Sequence, residues 1–121
     1  MSLDKESNNI AYRLGRLFAV LEKAQKEAVP GVKATIKDRY YSAASATPRT
    51  VFPQLMRLAQ HHIQKSEYGR RNDSMIEEIM QGIQAFPAHL NLEEQGMFAI
   101  GYYHQRKAFF AKSPEKEEEE S

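Results

Sequence analysis

Residues 101–110 read GYYHQRKAFF, two tyrosines and two phenylalanines bracketing a His-Gln-Arg-Lys block. Such a stretch is either a surface that stacks on bases and grips phosphate or the polar end of a buried helix, and the two readings imply different folds. Continued back to Leu92, a helix places Leu92, Gly96, Ala99, Tyr103 and Phe110 on one face and Phe98, Tyr102 and Phe109 nearly opposite. A helix apolar on two sides is normally a central one, covered by neighbours on both. Gly96, Ala99 and Gly101 let those neighbours come close, which makes most of the rings core and leaves Gln105, Arg106 and Lys107 as the surface fraction.

The same periodicity runs through the rest of the chain, and no stretch alternates long enough for a strand. A first helix is expected from about Asn9 to Val29, where Pro30-Gly31 stops it. Ile10, Leu14, Leu17, Leu21, Ala24 and Ala28 share its apolar face, with Phe18 on the edge. A shorter second helix covers Lys33 to Ala44. Thr47 and Pro48 read as N-cap and first-turn proline of a third, reaching about Lys65. It buries Val51, Phe52, Leu55, Leu58, Ala59 and His62, and Pro53 implies a kink or a start nearer Thr50. Ser66 to Asn72 is the longest polar connection. A capping box of Ser74 and Glu77 opens a fourth helix carrying Ile76, Ile79, Met80 and Ile83, which Phe86-Pro87 breaks. A second box, Asn91 and Glu94, opens the fifth, which continues to about Ala111. The expected fold is all-α: a single compact bundle of about five helices over residues 1–112. An acidic tail over residues 113–121 has too little apolar content to order itself.

A length of 121 residues suits one domain, and 41% hydrophobic with 27% charged residues is ordinary for a globular protein. No apolar run approaches a membrane span and the polar N-terminus has no signal-peptide pattern, so no membrane contact and a cytoplasmic location are expected. Without cysteine there is no disulfide framework, thiol nucleophile or thiolate metal site. The formal charge of +1 averages two unlike parts. Residues 115–120 hold five acids and one base; removing them from 17 basic and 16 acidic residues leaves 16 against 11, a body of +5. A basic body with an acidic tail suits a polyanion partner.

No constellation for catalysis stands out. His61 and His62 point about 100° apart on a helix and cannot chelate one ion together. His89 follows a Pro-Ala turn, and His104 has no HExxH-type neighbour. No nucleophile elbow or glycine-rich phosphate loop is present. No catalytic residue, metal or cofactor is expected, and the chain does not read as an enzyme. The basic residues are better organised. On the first helix Tyr12, Arg16, Ala19, Lys23 and Lys26 form a stripe opposite the apolar face. On the third, Arg57, Gln60, His61 and Gln64 make a polar face able to donate to phosphates. Lys33, Lys37 and Arg39 add charge on the second helix. The candidate nucleic-acid contacts are thus Arg16, Lys23, Lys26, Lys33, Lys37, Arg39, Arg57, His61, Gln64 and Arg106. The plain alternative for each stripe is a solvated helix face.

Four segments in order carry a more specific signal: LGRLFAVLEKAQ (14–25), ATIKDRYYSAASATP (34–48), VFPQLMRLAQHH (51–62) and FPAHLNLEEQGMFAIGYYHQRKAFF (86–110). Together they resemble the C-terminal helical region of the large subunit of the type I-C CRISPR surveillance complex. That region is also made as a separate small subunit by internal translation initiation. The resemblance spans Leu3 to Phe110 and is diffuse over 66–85. It implies an all-α bundle with no catalytic residues, since strand cutting in that family belongs to a recruited helicase–nuclease. The implied partners are the CRISPR guide RNA and target DNA, held through phosphates, the large and backbone subunits, and other copies of the chain. Met1 before the matched segments favours the free small subunit over a domain of the large one. A protein-docking scaffold whose basic stripe meets acidic partner surfaces is the reading of another class.

Overall fold

Asn9 starts the first helix by accepting a hydrogen bond from the Tyr12 amide at 3.0 Å, and α1 then runs Ile10–Ala28. The computed structural model describes residues 3–67 and 69–110, so the tail expected over 113–121 lies outside the described residues. Four more helices follow: α2 (Ile36–Ala46), α3 (Pro48–Lys65), α4 (Gly69–Met80) and α5 (Leu92–Phe110). The fold is all-α, with no strand among the described residues.

Local chemistry explains where the boundaries differ from the sequence reading. α2 begins at Ile36 because Thr35 and Asp38 form a capping box that the sequence reading passed over, and the Gln25 side chain accepts from the Ile36 amide at 2.9 Å. The Thr47 hydroxyl donates back to the Ala43 carbonyl at 3.0 Å, so this side chain closes α2 and gives α3 no side-chain cap. α3 nevertheless starts at Pro48, as the Thr47-Pro48 pair implied, and continues through Pro53, so of the two alternatives that Pro53 raised the later start near Thr50 does not occur. The largest departure is α4, which opens at Gly69 and not at the Ser74 box. A Cβ at position 69 would strike the carbonyl of Ile63, so the glycine lets the chain turn against the end of α3 and enter a helix at once. α4 then stops at Met80, where the Arg13 guanidinium takes its last carbonyls: Nε donates to Ile79 at 3.2 Å and Nη2 to Glu78 at 3.1 Å. The Asn91–Glu94 box of α5 forms as expected, with reciprocal bonds of 2.8 and 2.9 Å.

The central helix is α1, not α5. The other four helices all pack on α1, and α4 and α5 flank a hollow beside Arg16. Every residue from Ala11 to Glu22 is buried. α1 and α5 lie side by side and parallel: Tyr12 stands beside Gly101 and His104, Gly15 beside Phe98 and Tyr102, Arg16 beside Gln105 and Lys23 beside Phe109. Their backbones touch. A Cβ at Gly15 would overlap the Phe98 carbonyl, and one at Gly101 the Tyr12 carbonyl. Phe18, expected at an edge, is the middle of the core, with the rings of Tyr41, Phe98, Tyr102 and Phe52 at 5.6, 6.0, 5.9 and 6.4 Å.

Of the two apolar faces of α5, only one is covered. Phe98 and Tyr102 are fully buried against α1, whereas Leu92 is 84% exposed, Tyr103 53% and Phe110 75%. The expectation that Tyr103 and its neighbours belong to the core is therefore corrected. Gly101 lies on the Phe98–Tyr102 side, and only there can the helix reach backbone contact with α1. Leu58 is likewise corrected to the rim, at 37% exposed. Two substitutions separate these environments. Gly15→Ala should lose about 2 kcal/mol, roughly 10 °C in melting temperature, because backbone must move on both sides. Tyr103→Ala should cost about 1 kcal/mol or less. Thermal melts of both check this; an equally large loss at Tyr103 would put the ring back in the core.

Candidate nucleic-acid interface

The ten candidate contacts fall into three environments. The first is the α1 stripe, which α5 covers. Arg16 is only 2% exposed: Nε donates to Gln105 Oε1 at 3.0 Å and Nη2 pairs with Glu78 at 3.6 Å. Burial pulls its pKa down and Glu78 pushes it up. Arg16 thus bridges the open side of the bundle between α4 and α5, and it is not the surface cation that the helical wheel implied. Lys23 is also engaged. It pairs with Glu27, donates to Asn72 Oδ1 at 3.2 Å and lies 5.3 Å over the Phe109 ring, while Asn72 Nδ2 donates to Glu27 at 2.9 Å. Lys26, at the end of the stripe, is the most exposed of the three and pairs with Glu22 at 3.7 Å.

The second environment surrounds the C-terminal ends of α1 and α5. Lys37 lies 5.5 Å over the Tyr102 ring and 5.6 Å over Tyr103, and Arg106 lies 6.0 Å over Phe110. Lys33 and Arg39 are exposed nearby on the approach to α2 and on its outer side. Carboxylates are interleaved with these cations. The Tyr102 hydroxyl donates to Glu22 at 2.6 Å, and burial, then Glu22, raises the phenol pKa well above its ordinary value. Asp38 accepts from the Thr35 amide and hydroxyl, which hold its pKa below the usual carboxylate range. Glu22, Glu27 and Asp38 therefore offset much of the positive charge here.

The third environment is α3, and it is different in kind. Arg57, Gln60, His61 and Gln64 all point outward on one arc, as their spacing implied. No aspartate or glutamate occurs anywhere in the eighteen residues of this helix. Arg49 and Lys65 are also exposed on it, and Arg70 and Arg71 continue the positive charge onto the start of α4. The sequence reading missed these four. The signal available was the run from Pro48 to Lys65 without an acid. Arg49 has a structural bond as well, its Nε donating to the Phe86 carbonyl at 3.3 Å.

The histidines serve separate ends. His104 Nδ1 stands 2.8 Å from the Tyr12 hydroxyl, which accepts from the Asp4 amide at 2.9 Å, so it fastens α5 and the N-terminal segment to α1. Among the described residues no group of three His, Asp or Glu side chains could hold a metal ion, and no helix is long and apolar enough to cross a membrane. His62 is half-buried on the inner edge of α3, and burial first, then His61 and Lys65, lowers its pKa below 6.5. The unfolded imidazole accordingly binds a proton more readily than the folded one, so His62 destabilises the fold as pH drops below about 6.5. Stability measured by urea titration at pH 7 and pH 5 should fall on acidification, and His62→Gln should lessen that fall. An identical pH dependence in the variant would remove His62 as its source.

The model of the family described as CRISPR-associated protein (Cas_Csd1) matches residues 1–110, the whole bundle. No curated protein matches the chain.

Proposed function

The chain belongs to the Cas_Csd1 family of CRISPR-associated proteins, and from that premise we propose that it is a non-catalytic, nucleic-acid-binding small subunit of a type I-C CRISPR complex. In this reading it acts in the cytoplasm beside the large and backbone subunits. It steadies the guide RNA–target DNA heteroduplex and the displaced strand through phosphate contacts, leaving sequence choice to base pairing. The observation that carries the proposal is the outer arc of α3, where Arg57 is flanked by hydrogen-bond donors and no carboxylate lies on the same helix. Polyanion binding depends on uncompensated positive charge, which releases counterions from the nucleic acid. The α1 stripe lacks that property because its cations are buried or paired.

Arg57→Glu combined with Lys65→Glu should weaken binding to duplex and single-stranded oligonucleotides alike, with little change in melting temperature. If each residue meets one duplex phosphate, the log–log salt dependence should flatten by roughly 1.8 units at about 0.9 per contact. Arg16→Gln should behave in the opposite way, lowering stability through the lost Gln105 and Glu78 contacts while leaving the salt slope unchanged. Unchanged affinity of the double variant at low salt would remove α3 from the interface. A second reading, a docking subunit that meets protein surfaces, is favoured by the exposed apolar face of α5. Absence of any salt-dependent binding to bare oligonucleotides would select it.

A further inference from the structure

Four cations on the outer side of α3 and at the start of α4 have too few opposite charges to match them. From residue 57 to residue 71 the exposed charges are Arg57, Lys65, Arg70 and Arg71 against Glu67 alone. None of the four takes part in an ion pair among the described residues, whereas Arg16, Lys23 and Lys26 each have a carboxylate partner. Arg70 and Arg71 line an open hollow of about 420 Å³ with Glu67 and Ser74, and Asp73 stands one turn along α4. Cations gathered in this way repel one another and attract a polyanion.

The chain carries a polyanion of its own. Residues 115–120 hold five acids and one base, and 113–121 contain no apolar side chain except Pro114, so charge is their one means of attachment. The end of α5 stands beside the basic patch. The Phe109 ring carries the Lys23 ammonium at 5.3 Å, and the same ammonium donates at 3.2 Å to Asn72 Oδ1, next in sequence to Arg71. Gly69 lies against the Ile63 carbonyl, which brings Lys65 at the end of α3 close as well. Arg57 is eight residues back along α3, about 12 Å at 1.5 Å per residue. Glu115 is five residues beyond Phe110 and Glu120 is ten. At about 3.5 Å per residue these lengths reach at most about 17 and 35 Å, enough to meet all four cations without moving a helix. The cations at the ends of α1 and α5 are nearer but are mixed with Glu22, Glu27 and Asp38, so they hold an acidic segment less strongly.

We propose that the acidic segment 115–120 lies across the outer arc of α3 and the start of α4 in the free protein, and that a polyanion has to displace it to bind there. Displacement rests on the α3 arc being the nucleic-acid site; the contact itself does not. A tethered segment is present at an effective concentration on the order of mM, so weak and salt-screened ion pairs are sufficient. The contact sets a threshold: an anion with few charges cannot compete with a tethered one, and a long nucleic acid can.

The chain has no cysteine, so Ser121→Cys gives a single attachment point for a nitroxide in the otherwise intact protein. The amide NMR signals of Arg57, Lys65, Arg70 and Arg71 should broaden, and sharpen again at about 1 M salt, where the Debye length is about 3 Å. The broadening should also fade in the Arg57→Glu, Lys65→Glu variant. No broadening, broadening centred on Lys37 and Arg39, or broadening that survives high salt overturns the proposal. Glu115→Gln combined with the same change at Glu117, Glu118, Glu119 and Glu120 should tighten oligonucleotide binding about fivefold at low salt, with the melting temperature unchanged. That factor corresponds to a segment covering the arc about four-fifths of the time. If the Arg57, Lys65 variant shows that the arc binds oligonucleotides and the neutralised tail changes nothing, the proposal is overturned. If that variant binds as tightly as the parent, the α3 reading fails alone, and the nitroxide measurement still decides where the tail lies.

Discussion

Backbone contact between α1 and α5 is the constraint from which the rest of the arrangement follows. Gly15 and Gly101 remove the side chains that would hold the two helices apart, and each accommodates a carbonyl of the other helix. At that separation the whole Tyr12–Arg16–Ala19 stripe of α1 is shut away, and its polar groups must find partners inside the protein. They do so on two helices, α4 and α5. Arg13 closes the end of α4, Arg16 spans Glu78 and Gln105, and Glu22 receives the Tyr102 hydroxyl. The charges on α1 are fastenings. They tie together helices that otherwise share only an apolar core.

This explains which parts of the fold were legible in the sequence. Helix number, the α1 start, the α3 start at Pro48 and the α5 capping box all depend on local chemistry, and they were readable. Periodicity could also find both apolar faces of α5. It could not say which face would meet a partner, because that is decided by backbone proximity at Gly101 and by the rings grouped around Phe18. The same limit applied to α1. Arg16, Lys23 and Lys26 look like a solvated stripe when a helix is considered alone, and only the neighbours reveal that Arg16 is enclosed and Lys23 is tied to Glu27 and Asn72. At the candidate site, Arg57, His61 and Gln64 were readable because α3 has a single buried side and spacing alone sets its outer arc.

The surfaces divide by helix. α3 offers positive charge without carboxylates, the ends of α1 and α5 offer cations already balanced by Glu22, Glu27 and Asp38, and α5 offers an apolar stripe. Membership of a CRISPR-associated family gives such a division a use, since a small component of an assembly has to meet more than one neighbour at once. A protein with its basic and apolar surfaces on separate helices can do so without one contact excluding the other.

Pairing the first helix with the last also sets the order in which the molecule can be made. α1 leaves the ribosome first, and its covering helix begins at Leu92, 82 residues after Ile10. At roughly 5–20 residues per second, α1 waits about 4–16 s for that partner, with part of its buried surface still open. α2, α3 and α4 can shelter it in part, but the side carrying Tyr12 and Gly15 gets its main cover from α5. Closure therefore comes late, through contacts of high sequence separation. The nascent chain must keep one uncovered helix face out of trouble until α5 has followed.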